Sequence, residues 1–289
     1  STNYYSAGNN APDLTTSWWT NTDGTGSHPS NFTTAGDIFI IQDSHIMTTT
    51  ANWTVSGTGA GIVISSGARL IATYTVSTVS LTVEDNGTYE HAYNGGHIPS
   101  ADWSINSNLE ITGITGGDPA GELYFDPPVS GFGNIIWNSP GQTAGSSIGR
   151  NNPTEIYGTL TIVSTGTSTV QLVRGSNVVN VENYIQTGGY VVIGSNAGAA
   201  TKTLNVSGNF TLSGASSIFD IDNGTGTSTR TNILNLSGNL SISSGQLRVS
   251  STSTSGNTNS VNFVSDGTNV QYFTNSGATM SGKIDYYVE

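Results

Sequence analysis

The sequence predicts an all-β fold: a right-handed parallel β-helix (β-solenoid) of roughly nine or ten coils, closed at its N-terminus by an aromatic-rich cap. Three observations carry this. Apolar residues come in short alternating runs with no helical period, similar segments recur every 25 to 30 residues, and turn-forming residues separate them. Gly alone is 37 of 289 residues, and only 9% are charged, against about a quarter in an average soluble domain. Low charge with much Gly and Ser also describes disordered chains. Here, however, 34% of residues are hydrophobic, and spacing Ile, Val, Leu, Tyr, Phe and Trp in alternation serves no purpose in a disordered chain. β-Branched and aromatic residues favour a pleated, half-buried surface and disfavour helix.

The repeat is visible when segments are superposed. Leu204-Asn205-Val206-Ser207-Gly208-Asn209-Phe210-Thr211-Leu212 matches Leu234-Asn235-Leu236-Ser237-Gly238-Asn239-Leu240-Ser241-Ile242. Val179-Asn180-Val181 and Val261-Asn262-Phe263 fit the same frame, and Trp103 to Gly113 aligns with 204–214. Gly133-Asn134-Ile135 and Gly158-Thr159-Leu160 fall between them. Units this short hold two or three strands of about five residues, one coil of a solenoid, whereas a propeller blade needs roughly 40 or more residues. A single coil cannot bury its apolar face, so stacking creates the core. Insertions at 223–229 and 251–257 would bulge at a corner, where extra length costs little. At about 4.8 Å per layer the rod is some 45 Å long, and right-handedness follows the general preference of parallel crossovers.

Residues 1–35 read as a cap segment and 36–289 as the solenoid domain, with an inserted loop at about 84–99. The cap gathers Tyr4, Tyr5, Trp18, Trp19 and Phe32, which would cover the first coil; the alternative is an aromatic platform for sugars. Sequons such as Asn205-Val-Ser and Asn235-Leu-Ser fall inside strands and read as turn or ladder residues.

Seven Lys+Arg against 19 Asp+Glu give a net charge of −12, which argues against nucleic acid and against an anionic membrane surface. No apolar run approaches the length that spans a bilayer. Cysteine is absent, so neither disulfides nor thiolate metal sites arise. Beginning at Ser1 is consistent with a signal peptide removed beforehand.

Gly36 to Ile41 with His45, Trp53-Thr-Val55, Ile64-Ser-Ser-Gly67-Ala68-Arg69-Leu70, Asn86 to Pro99, and Phe132 to Asn138 with Pro140-Gly-Gln142 form a distinctive set. On these residues most of 1–215 resembles repetitive β-solenoid surface or secreted proteins of Bacteroidota-type bacteria, many exported by type IX secretion. The resemblance implies a secreted or cell-surface location and supplies no established catalytic residues to carry over. Such proteins often end in a sorting domain; here the last residues, Lys283 to Glu289, do not resemble one, which implies either cleavage or another export route.

The expected function is therefore structural: an extracellular, non-catalytic homo-oligomer or polymer that assembles through its solenoid ends into a filament or surface layer, with Tyr4, Tyr5, Ile284, Tyr286 and Val288 at the contacts. The alternative is an adhesin or carbohydrate-binding module engaging surface glycans through Trp18, Trp19, Tyr89, His91, Tyr93 and His97. A polysaccharide lyase or hydrolase stands third, since the cations it would use are scattered. No cofactor is expected. Asp220 and Asp222, two apart on one strand face, suit a Ca²⁺ ion or a glycosidase-like pair, although the neighbouring residues lack EF-hand or β-roll spacing.

Overall fold

Alternation in the sequence becomes an inside and an outside. In Ile38–Ile41, Arg69–Ala72 and Asn108–Ile111 every second side chain is buried while the others reach outward, because successive Cβ atoms on a strand point to opposite faces. A computed structural model describes residues 1–116, 122–148, 155–174, 178–194, 200–225, 227–252, 256–265, 267 and 270–288. Arg150 and parts of the two corner insertions lie outside them.

Three faces wind around one core. The first begins with Asn3–Ser6, Ile38–Ile41, Gly61–Ile64, Leu81–Val83 and Asp102–Trp103. Phe132 bridges it to Ile156, and it continues through Thr201–Val206, Thr231–Leu236, Thr258–Phe263 and Asp285–Val288. The second face runs from Ile46–Thr48 to Phe273–Asn275, and the third from Trp53–Val55 to Thr279–Ser281. Two long strands, Glu155–Ser164 and Val178–Gln186, turn the corner between the first and second faces without ending. The second and third faces each have ten strands among the described residues, so the fold is a parallel β-helix of ten coils.

Register places like on like. Leu204 lies beside Leu234, which lies beside Val261; Val206, Leu236 and Phe263 form the next row. All of these are buried in one continuous cluster. The repeated motif now has a reason at each position. Leu204 and Val206 fill the core, and Asn205 points outward. Gly208 and Gly238 stack at the bend, where a Cβ on Gly238 would collide with the Gly208 carbonyl. Asn209 Oδ1 then accepts the backbone N–H of Asn239 at 3.0 Å, just as Asn183 accepts that of Asn209 at 2.9 Å, so the corner side chains tie one coil to the next.

Two expectations need correction. Residues 84–99 are not an inserted loop but the second and third faces of an ordinary coil, with strands Thr88–His91 and Gly96–Ile98. That coil is among the tightest: Ile62 lies beside Leu81 and Thr82 beside Asp102, steps of only 19 and 20 residues, against 25 from Asn180 to Asn205. Polar and aromatic residues at inward positions gave it the look of a loop. The cap is likewise not separate from the ladder, since Asn3–Ser6 pairs in parallel with Ile38–Ile41. Trp18–Trp19 then pairs antiparallel with Tyr5 and Ser6, the only antiparallel pairing among the described residues.

Candidate functional site

The aromatic residues of the cap are spent on the core. Trp18 is fully buried, stacks on Trp53 at 5.5 Å, meets Phe39 edge-on, and donates its indole N–H to the Pro12 carbonyl. Tyr4 stacks on Phe39 at 5.6 Å, Tyr5 is half-buried in the paired strand, and Trp19 leans on His28 at 3.8 Å. A sugar-stacking platform therefore does not form at Trp18. Side chains of the same segment close the edge of the second face: Asn9 Oδ1 accepts the N–H of Ile46 at 2.8 Å, and Asp13 accepts the N–H and hydroxyl of Thr50 at 2.7 and 2.8 Å. These carboxylate and amide oxygens occupy the places that carbonyls of a preceding coil would take.

The second group of nominated residues disperses. Tyr89 is fully buried against Trp103, and burial pushes its hydroxyl well above the usual range, with Tyr93 adding to it. His91 is also fully buried; Nε2–H donates to the Gly95 carbonyl at 2.7 Å, which leaves Nδ1 bare and without a partner. Tyr93 is half-buried on the His91 ring at 4.0 Å. His97 alone is exposed; its Nδ1 contacts Asp126 at 2.8 Å and its ring stacks on Tyr124. The carboxylates of the same coil each have a partner of their own: Glu84 accepts the Ser66 N–H, Asp85 holds Asn106, and Glu90 shares Arg69 with Glu110.

Burial, opposed weakly by the Gly95 hydrogen bond, lowers His91 from 6.5 to about 4. The folded state therefore refuses a proton that the unfolded state takes up below pH 6.5, so stability falls as pH drops from 6.5 towards 4. At about 1.4 kcal/mol per unit the loss is about 3 kcal/mol. Thermal unfolding followed between pH 7 and pH 4.5 should show the wild type losing more stability than His91→Leu. Parallel pH dependences in the two proteins would rule out this role.

Asp220 and Asp222 are fully buried, yet each faces its own arginine. Arg248 Nε lies 2.9 Å from Asp220 Oδ2, where the Tyr190 hydroxyl and the Ser250 hydroxyl also donate. Arg230, itself 3% exposed, lies with Nε 3.3 Å from Asp222 Oδ1, while Asn257 Nδ2 and the Gly224 N–H donate to the same carboxylate. The two carboxylates thus act as separate anchors of the third face and the corner after it. Among the described residues no three His, Asp or Glu side chains gather as metal ligands, and no helix is long and apolar enough to cross a membrane.

What remains accessible lies elsewhere. The last described coil repeats the inward pattern, but its side chains are exposed. Tyr286 sits beside Val261, and Val288 beside Phe263. Val261 is fully buried, whereas Tyr286 is 42% and Val288 85% exposed. Phe273, beside the buried Leu240, is also exposed and stacks on Tyr286 at 6.0 Å, while Ile284 is half-buried against the core. Along the C-terminal half of the rod, a groove of about 560 Å³ follows the corner between the first and second faces, lined by Glu155, Tyr157, Asn180, Glu182, Asn205 and Asn235 among others. Sequence reading placed these asparagines in a ladder but not beside a groove, because a corner's concavity depends on how far successive coils are offset. In comparisons with protein-family models, curated proteins and solved structures, the chain matches none of them.

Proposed function

We propose that the chain is an extracellular, non-catalytic structural rod that self-associates through its C-terminal coil. The observation that carries this is the contrast between its ends. At the N-terminus an antiparallel strand and the side chains of Asn9 and Asp13 satisfy the edge. At the C-terminus Phe273, Tyr286 and Val288 stand open where their equivalents one coil earlier are buried. Uncovered strand edges and apolar side chains together favour pairing with another β layer.

The sealed N-terminus is a poor acceptor, so head-to-tail stacking gives way to tail-to-tail pairing. A two-fold axis through the first face brings Asp285–Val288 antiparallel to its own copy, and sets the second face of one rod against the third face of the other. Such a contact is isologous and closes at two copies; a filament or layer would add lateral contacts. The secreted or surface location rests on the resemblance of residues 1–215 to surface β-solenoid proteins, since a chain without cysteine leaves the compartment open.

Sedimentation equilibrium is expected to give a dimer in the micromolar range that becomes monomeric in Tyr286→Lys/Val288→Asp, with the circular dichroism spectrum unchanged. A wild-type chain monomeric at millimolar concentration would defeat the reading.

A further inference from the structure

The corner groove has a floor built to a regular pitch. Asn262 Nδ2 donates to Asn235 Oδ1 at 2.9 Å, Asn235 to Asn205 at 2.8 Å, Asn205 to Asn180 at 2.7 Å, and Asn180 to Glu155 Oε1 at 2.5 Å. All these amides point the same way and end on a carboxylate, so each bond polarises the next. An amide has two N–H donors and two acceptor lone pairs, and the ladder uses one of each. Asn180, Asn205 and Asn235 therefore each keep a donor and an acceptor for another partner, repeated at the strand spacing of about 4.8 Å.

Four further features narrow the partner. The groove crosses the coils of Glu155, Asn180, Asn205, Asn235 and Val264, about four spacings or ~19 Å along the rod, so it suits an extended polymer more than a compact molecule. Among the described residues its lining carries Glu155 and Glu182 but no Lys or Arg, on a chain of net charge −12, which disfavours an anionic polymer. The strands beneath it are hydrogen-bonded on both sides, so no edge is open for a peptide to join by strand addition. At its N-terminal end Tyr157 is 41% exposed, with its ring tethered through a hydroxyl bond to the Ser130 carbonyl at 2.7 Å. A fixed, exposed aromatic face beside paired donors and acceptors matches a pyranose ring, which offers an apolar C–H face and hydroxyls that both donate and accept.

We propose that this groove binds an extended, uncharged polysaccharide lying parallel to the rod axis, with Asn180, Asn205 and Asn235 as the hydrogen-bonding floor and Tyr157 as the stacking platform. The site is remote from the Trp18 and His91 positions, and it does not depend on association through the C-terminal coil.

Affinity electrophoresis tests it with the full chain in gels containing hydroxyethyl cellulose, laminarin, galactomannan or dextran, and with alginate and polygalacturonate as anionic counterparts. The expected result is retardation by at least one neutral polymer and by neither anionic one. Tyr157→Ala should weaken that retardation about tenfold. Ser207→Trp, which fills the groove from an exposed position, should abolish it. Both variants should keep the wild-type unfolding midpoint, because neither position belongs to the core. Migration unchanged in every neutral polymer, preference for an anionic one, or retardation persisting in both variants would overturn the proposal.

Discussion

Asp222→Leu is expected to destabilise the protein by about 3–5 kcal/mol, the cost of stranding a buried charge. Arg230 is 3% exposed and its counter-ion is Asp222. Among the described residues its other hydrogen bonds are a long one to the Thr225 carbonyl at 3.5 Å and one to the Ser251 hydroxyl at 3.2 Å, neither of which carries negative charge. The substitution also removes the acceptor for Asn257 Nδ2 and the Gly224 N–H. Adding Arg230→Met should recover most of the loss, because a paired charge exchanged for apolar packing is often neutral. Urea unfolding of the wild type, the single variant and the double variant measures this. A double variant no better than the single would mean that the polar anchors of the corner, rather than the charge balance, are what matters there.

Phe210→Ala is expected to cost about 3–5 kcal/mol, through lost burial and the cavity left behind. Phe210 is fully buried between Tyr184 at 4.6 Å, nearly parallel to it, and Phe219 at 4.9 Å, perpendicular to it. These rings come from two adjoining coils and two faces, so the cavity would loosen both coils rather than one. In a stacked fold stability is held coil by coil and through nearest-neighbour interfaces. Amide hydrogen exchange should therefore rise most in Val178–Gln186 and Phe210–Leu212, and least in Ile38–Ile41. A uniform rise along the rod would show instead that the solenoid unfolds as one unit.

The fold was legible at the level of parity and period. Leu204, Val206 and Phe210 declared themselves inward by alternation, and the 30-residue match to Leu234, Leu236 and Leu240 announced the stacking that register confirms. The candidate residues were less legible, for a physical reason. Tyr89 and His91 were named as ligand-facing candidates because of their chemistry, whereas their place on a strand puts them inside; Trp18 covers the first coil as the cap reading expected, and the alternative of a sugar platform does not form. Histidine at an inward position looks polar in a sequence, yet one hydrogen bond to Gly95 and loss of its charge let it serve as core.

Sequence alone determined the all-β parallel β-helix, its repeat, and the recurrence of its Ser-Gly-Asn corners, since these follow from local alternation and from the matching of like residues one coil apart. Tertiary structure alone decided which corner is concave, which aromatic residues are exposed, and which carboxylate meets which arginine. Those outcomes depend on the lengths of turns, which shift one coil against the next, and so on distances between residues that no local pattern encodes. Asp222 and Arg230 are neighbours because the chain goes around a corner between them, and Asn180 through Asn262 form one ladder because three coils of unequal length nevertheless return to the same register.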